Sequence, residues 1–146
     1  MENSQNTQKL ASQFQYLREM QQMYEQNLDI INASLNNLIN TQKTINNLHN
    51  VDDGEEILVP IGGMINLRAN IQNPEKVLLS VSDDVIIEKD LDGSNEFIEK
   101  LIEQHKDQIK FLNEQLQQIE ANLQGISQRF REGMGQSQIG NQFPSS

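Results

Sequence analysis

Ile98, Ile102, His105, Ile109, Leu112, Leu116, Ile119, Leu123, Ile126 and Phe130 recur at alternating spacings of four and three residues. That is the heptad of a helix burying one narrow seam, sustained well past the three or four repeats that define a coiled coil. Residues 8–50 carry the same repeat. One seam position gives Leu10, Leu17, Tyr24, Ile31, Leu38 and Ile45, and its companion gives Phe14, Gln21, Leu28, Leu35, Gln42 and His49. No Pro or Gly interrupts that stretch. The spacing predicts helices over 8–50 and 94–132, about 64 and 57 Å long at ~1.5 Å per residue. Ser94, after Asp92-Gly93, is the expected N-cap of the second helix.

Residues 51–93 between them follow a period of two. Glu56-Ile57-Leu58-Val59-Pro60-Ile61 is an apolar run closed by Gly62-Gly63. Ile65, Leu67, Ala69 and Ile71 then alternate with Asn66, Arg68, Asn70 and Gln72. Asn73-Pro74-Glu75-Lys76 reads as a turn. Val77-Leu78-Leu79-Ser80-Val81 and Val85-Ile86-Ile87 follow, joined through Ser82-Asp83-Asp84. Four strands in succession predict two β-hairpins. An isolated pair of hairpins is marginal in water, so the insert needs partner strands from elsewhere. Two helices of similar length joined by a compact insert are expected to pack as an intramolecular antiparallel coiled coil. Pairing Asn50 with Asn95 sets Phe14 near Phe130 and Leu10 near Met134, with His105 facing residue 40. The expected organisation is a disordered 1–7, helix 8–50, hairpins 51–93, helix 94–132 and a flexible tail 133–146.

Composition fits this lean build. The 146 residues are 36% hydrophobic and 5% aromatic, and 36 of them are Asn or Gln. A compact globule usually runs ~45–50% apolar, whereas two seams and four strands need less. The net charge of -10, with 21 Asp and Glu against 11 Lys and Arg, opposes a basic stripe for nucleic acid or an anionic membrane. No cysteine is present, which excludes thiol catalysis and Cys-ligated zinc. The N-terminus lacks a basic segment followed by an apolar one, and no apolar run reaches ~18–20 residues. A soluble, cytoplasmic protein is expected.

Candidate chemistry is sparse. Glu88-Lys89-Asp90-Leu91-Asp92-Gly93 with Glu99 matches a calcium-loop spacing except for Glu at the first position. A strand precedes it and Asn95 stands where an apolar residue belongs, so it reads as an acidic turn and helix-start charge. His49 and His105 fall ~13 Å apart along the expected helix pair, too far for one ion, and read as polar seam residues. Gly62-Gly63 has no Lys-Ser/Thr or helix after it and is no phosphate loop. Neither a catalytic constellation nor a metal or cofactor is expected. What remains is a set of apolar side chains toward the free helix ends: Leu10, Phe14, Leu17, Met20, Met23, Leu123, Ile126, Phe130 and Met134. Met-rich apolar surface suits adaptable binding of apolar segments.

The insert, from Val59-Pro60-Ile61-Gly62-Gly63 through Leu67-Arg68-Ala69 to Val77-Leu78-Leu79-Ser80-Val81 and Val85-Ile86-Ile87-Glu88-Lys89, resembles the prefoldin alpha subunit family of archaeal type. Two hairpins in about 40 residues look like the alpha rather than the beta class. Met64 stands where the family usually has a third Gly, Asn66 where it has an aromatic, and Ser82-Asp83-Asp84 where it turns on Gly-x-Gly. Asp tolerates left-handed backbone, so a turn of altered geometry is expected there. The resemblance implies an α+β fold: a long antiparallel two-helix coiled coil with an inserted hairpin pair that joins an oligomeric β-barrel platform. It implies a hetero-hexamer of two alpha and four beta subunits. Its ATP-independent holdase action would bind non-native clients at coiled-coil tips and deliver them to a group II chaperonin. The hairpin residues implied at subunit contacts are Ile57, Val59, Ile61, Ile65, Leu67, Ile71, Val77, Leu79, Val81, Val85 and Ile87. The alternative is a structural coiled-coil adaptor that recruits one helical partner.

Overall fold

The computed structural model describes residues 2–140, with side chains over 2–133. Helix α1 spans Glu2–Leu48. Strands β1 (Glu56–Gly62), β2 (Ile65–Asn70), β3 (Lys76–Ser82) and β4 (Val85–Asp90) follow, and helix α2 spans Leu91–Gly140. The two hairpins, β1–β2 and β3–β4, are separate antiparallel sheets of two strands each. Both helices run through two compact units, one of residues 33–106 and one containing the remaining helical halves.

Helix ends depart from the periodicity. α1 begins at Glu2, inside the stretch expected to be disordered. Residues 2–8 hold no helix breaker, Glu2 suits the positive N-terminal end of the helix dipole, and Thr7 Oγ1 donates to the Asn3 carbonyl at 2.7 Å. α2 continues to Gly140, past the expected end at 132. Gln136 and Gln138 are good helix formers, and the first Pro beyond them is Pro144. The rest of the expected tail, 141–146, lies outside the described residues.

The start of α2 differs in a way that matters more. Asp90, last residue of β4, is the N-cap: its Oδ1 accepts the Gly93 N–H at 2.9 Å. Gly93 therefore lies within the first turn. A Cβ there would stand 2.5 Å from the same carboxylate oxygen, so a larger residue would push the cap aside. Ser94, the expected cap, is wholly buried on the first turn. Leu91 packs with Ile45, Ile98 and Ile102 in the core of residues 33–106. Leu35, Leu38, Ile39, Leu48, Val77 and Phe97 surround that core. Helix ends at Leu48 and Leu91, rather than Asn50 and Asn95, slide the antiparallel register of this unit. His105 accordingly faces Ser34, at 2.9 Å from Nε2 to Oγ, instead of residue 40. The ring donates from Nδ1 to the Leu101 carbonyl at 2.8 Å, so in the neutral ring Nε2 accepts from the Ser34 hydroxyl. His105 is the polar seam residue its position suggested. His49 sits beyond the end of α1, 3.6 Å from Asp92 and half exposed.

Hairpin roots are tied to the linkers. Gly54 N–H donates to the Ile71 carbonyl at 2.7 Å, and Ile71 N–H to the Glu55 carbonyl at 2.9 Å. Asn73 takes a left-handed backbone at φ 50 and donates its N–H to Asp53 Oδ1 at 2.9 Å. Leu91 N–H donates to the Glu75 carbonyl, joining the start of α2 to the loop between hairpins. The second hairpin closes through Asp83-Asp84 without positive φ at either residue. Its register instead shifts between Ser80 and Ser82, as the first hairpin's does between Pro60 and Gly62. A bulge adds twist and re-aims the strand end, so the Asp-Asp turn keeps the pairing intact.

In the other unit, Leu112, Ile119, Leu123 and Ile126 of α2 are buried. Leu10, Phe14, Leu17, Tyr24, Leu28 and Ile31 of α1 are half-buried. Leu17 shares a groove with Gly125 and Ile126, and Phe14 one with Leu123 and Ser127. Phe14 thus lies about a turn from its expected partner Phe130. Met134, the expected neighbour of Leu10, lies outside the described side chains.

Removing the cap tests the junction. Asp90→Ala is expected to cost about 1 kcal/mol and Asp90→Ser or Asp90→Asn far less, read as urea midpoints by far-ultraviolet circular dichroism. Equal midpoints for all three variants and the parent would contradict the cap.

Candidate assembly and client-binding surfaces

Side chains alternate across a strand, and the register sorts them. Ile57 pairs with Ala69 and Val59 with Leu67 on one face of the first hairpin. Val77 with Lys89 and Leu79 with Ile87 define the matching face of the second. Near its root this second face covers the helical core: Val77 packs against it, and Lys89 Nζ lies 5.7 Å from the Phe97 ring centroid. Toward the turns it is uncovered. Ile57, Val59, Ile61, Ile65, Leu67, Val81, Val85 and Ile87 are all exposed, while Ile71, Val77 and Leu79 are half-buried.

The opposite faces also carry apolar residues that the period-two reading passed over. Leu58, Leu78 and Ile86 are exposed, Leu78 at 74%, and Met64 at the first turn is exposed at 98%. Leu58 lies across from Arg68 and Leu78 across from Glu88. The signal was the unbroken apolar run of Ile57-Leu58-Val59 and of Val77-Leu78-Leu79, which marks strands covered on both faces rather than one. Each sheet has two strands, so every strand keeps one edge of unpaired N–H and C=O groups among the described residues. Exposed apolar faces beside open edges are chemically suited to receive further strands.

The nine apolar residues singled out near the helix ends divide by burial. Leu123 and Ile126 are buried and hold the seam. Leu10, Phe14, Leu17, Met20 and Phe130 are half-buried, and Met23 is exposed. Met134 lies outside the described side chains. Sequence reasoning missed Tyr16, Ile30 and Phe111, exposed at 61%, 67% and 53%. Tyr16, Met23 and Ile30 are seven residues apart, one position before the seam residues Leu17, Tyr24 and Ile31, a repeat visible in the sequence once the seam is set aside. The calcium-like string is divided between elements: Glu88 and Asp90 lie on β4, Asp92 on the first turn of α2, and Asp90 serves as cap. Gly62-Gly63 closes a hairpin. No helix among the described residues is long and apolar enough to cross a membrane.

Long paired helices that carry two hairpins with uncovered apolar faces define a coiled-coil subunit of an assembling complex. The family profile described as Prefoldin subunit matches residues 17–133. The chain is 26% identical to the prefoldin subunit alpha of Pyrococcus horikoshii over 132 residues, 90% of this chain and 89% of that one. It is 32% identical to prefoldin subunit alpha 1 of Thermococcus kodakarensis over 71% of each chain. In fold it resembles the filamentous prefoldin of Methanocaldococcus jannaschii seen by cryo-electron microscopy, with a TM-score of 0.69 and 16% identity. That match covers 79% of this chain and 95% of the other. The chain belongs to the prefoldin family, a family of non-enzymatic chaperone subunits.

The hairpin faces generate a direct expectation. Val59→Asp with Leu79→Asp, one charge on each apolar face, is expected to abolish assembly with partner subunits in sedimentation velocity. Helical content by circular dichroism is expected to stay within a few per cent of the parent, because neither residue lies in the helical core.

Proposed function

We propose that this chain is the alpha-type subunit of a cytoplasmic hetero-hexamer with four beta-type subunits, acting as an ATP-independent holdase. Its hairpins add strands and apolar faces to a shared β-barrel platform. Its helix ends hold non-native polypeptides, which pass to a group II chaperonin. The observation that carries the reading is apolar surface left uncovered in an acidic, amide-rich chain: the hairpin faces and the partly covered Phe14, Met20, Met23 and Phe130. Exposed apolar patches of this kind mark interaction sites.

The mechanism is avidity. Each apolar side chain buried by a client is worth ~1.5–3 kcal/mol at most, too little for tight binding at one point. Several subunits contacting one chain raise the effective concentration of every further contact. Binding of this type needs no cofactor and no fixed client sequence, and release is a matter of losing contacts one by one. In this scheme Leu10, Phe14, Met20, Met23 and Phe130 touch client. Leu17, Leu123 and Ile126 keep the helices together beneath.

Phe14→Ser with Phe130→Ser is expected to reduce suppression of client aggregation severalfold, followed by light scattering of a denatured enzyme diluted into the assembled complex. Sedimentation is expected to report the same assembly as the parent. Suppression at the parental level would remove these residues from the client surface.

A further inference from the structure

Tyr16, Met23 and Ile30 form an exposed stripe along α1, with half-buried Met20 between them and the seam. A heptad spacing holds these residues on one face of a helix. Tyr16 and Gly125 of α2 line the same lateral groove, so this side of α1 and the Gly125 side of α2 adjoin. Phe111 lies fourteen residues before Gly125, two heptads along the same stripe of α2. Facing residues in an antiparallel pair keep a constant sum, and the Tyr16–Gly125 level brings Ile30 to the level of Phe111. Among the described residues a Cβ at Gly125 would meet nothing within 4 Å, which leaves an opening beside Tyr16 that a side chain from outside can fill.

We infer that this lateral face docks one amphipathic α-helix with a basic flank, as the third strand of a local coiled coil. The helical occupant follows from spacing. Apolar groups seven residues apart, over about 21 Å from Tyr16 to Ile30, match another heptad; an extended segment repeats at ~3.3 Å per residue and loses step with them. The basic flank follows from charge. Glu19 borders Tyr16 and Met23 at three and four residues' distance along α1, and Asp107 and Glu114 border Phe111 in the same way on α2. Residues three and four apart are neighbours on a helix surface. Among the described residues Arg129 is the one cation lining the groove, at its Tyr16 end. Helix-in-groove recognition of this kind uses anchors at heptad positions for affinity and flanking charge for selection. The partner class differs from the extended clients of the proposed holdase reading, and the inference does not require that reading.

The probe is a synthetic 18-residue peptide with Leu at alternating spacings of four and three and Lys on its flanks, labelled for fluorescence anisotropy. It is titrated into the full-length chain in its assembled form. A peptide of the same composition in scrambled order, and one with Glu in place of Lys, serve as controls. Ile30→Gln with Phe111→Gln is expected to weaken binding of the Lys peptide roughly tenfold or more, and Glu19→Lys with Glu114→Lys at least severalfold. Both controls are expected to bind at least severalfold more weakly, and Phe14→Ser with Phe130→Ser to change affinity less than about twofold. Affinity unchanged in Ile30→Gln with Phe111→Gln overturns the inference, as does equal binding of either control peptide. Client-aggregation assays on the same variants separate the two ideas. Loss of peptide binding with aggregation suppression intact in Ile30→Gln with Phe111→Gln supports the lateral site. Loss of peptide binding only in Phe14→Ser with Phe130→Ser assigns the peptide to the client surface and overturns it.

Discussion

Two helices that meet along a single line can bury only one stripe of each, and that limit governs how this chain distributes its apolar residues. Among the described residues the buried apolar set is Ile45 on α1 and Leu91, Ile98, Ile102, Leu112, Ile119, Leu123 and Ile126 on α2. α2 therefore supplies the dry side of the seam. α1 meets it with half-buried side chains, some of them Gln21 and Gln42. Such a seam stabilises the helices but offers no enclosed interior in which four strands can bury their faces. Among the described residues the hairpins meet the helical core through Val77 and Lys89, and most of their remaining apolar surface is open. Assembly follows from that deficit, because strand faces and strand edges both find their complement in other strands.

The limit also gives unusual weight to the junction of β4 and α2. Asp90 finishes a strand and caps a helix with one side chain, and Gly93 leaves room for that carboxylate. Leu91 is the first helical residue and already part of the core. With only one line of contact, a change in where the helix starts moves every facing pair of that unit. Starting at Leu91 against Leu48 brings Ser34 to His105, about six residues or 9 Å from the pairing that a start at Asn95 implies. The Ser34–His105 hydrogen bond satisfies both polar groups in that register, so it and the cap favour the same alignment.

What could be read from the amino acids alone divides along the same physical lines. The helices and hairpins were legible because heptad and period-two patterns differ, and because Gly62-Gly63 and Asn73-Pro74 punctuate them. The insert also carried the family resemblance. Helix ends were less legible. Asp90, Asp92 and Ser94 are all competent caps, and only the packing of Leu91 selects among them. The extension to Glu2 lies in Asn- and Gln-rich sequence and the extension to Gly140 in a Gly- and Gln-containing one, with neither a seam residue to demand helix nor a Pro to forbid it. Of the candidate surface residues, Leu123 and Ile126 could not be separated from Phe14 and Phe130 by pattern, since all four obey the same heptad. Their difference is burial. Leu58, Leu78 and Ile86 were passed over because alternation was read as one-sided, and Tyr16, Ile30 and Phe111 because they fall one position off the seam.

The surfaces left uncovered differ in what they can accept, and secondary structure is the reason. A strand edge presents directional N–H and C=O groups at fixed intervals, so its complement is another strand in register. Phe14 and Phe130, half-buried on helices, present apolar area without hydrogen-bonding direction, and such area discriminates poorly among apolar segments. Tyr16, Met23 and Ile30 repeat with the helix, and Glu19 borders the first two, which adds a length scale and a sign of charge. One lean, acidic chain thus carries strand faces whose complement is specified by backbone pairing and helical side chains whose exposed area is specified by little beyond hydrophobicity. The many Asn and Gln side chains are hydrated without adding to the net charge of -10. A chain with the same apolar residues scattered evenly would offer neither a register for partner strands nor contiguous apolar surface.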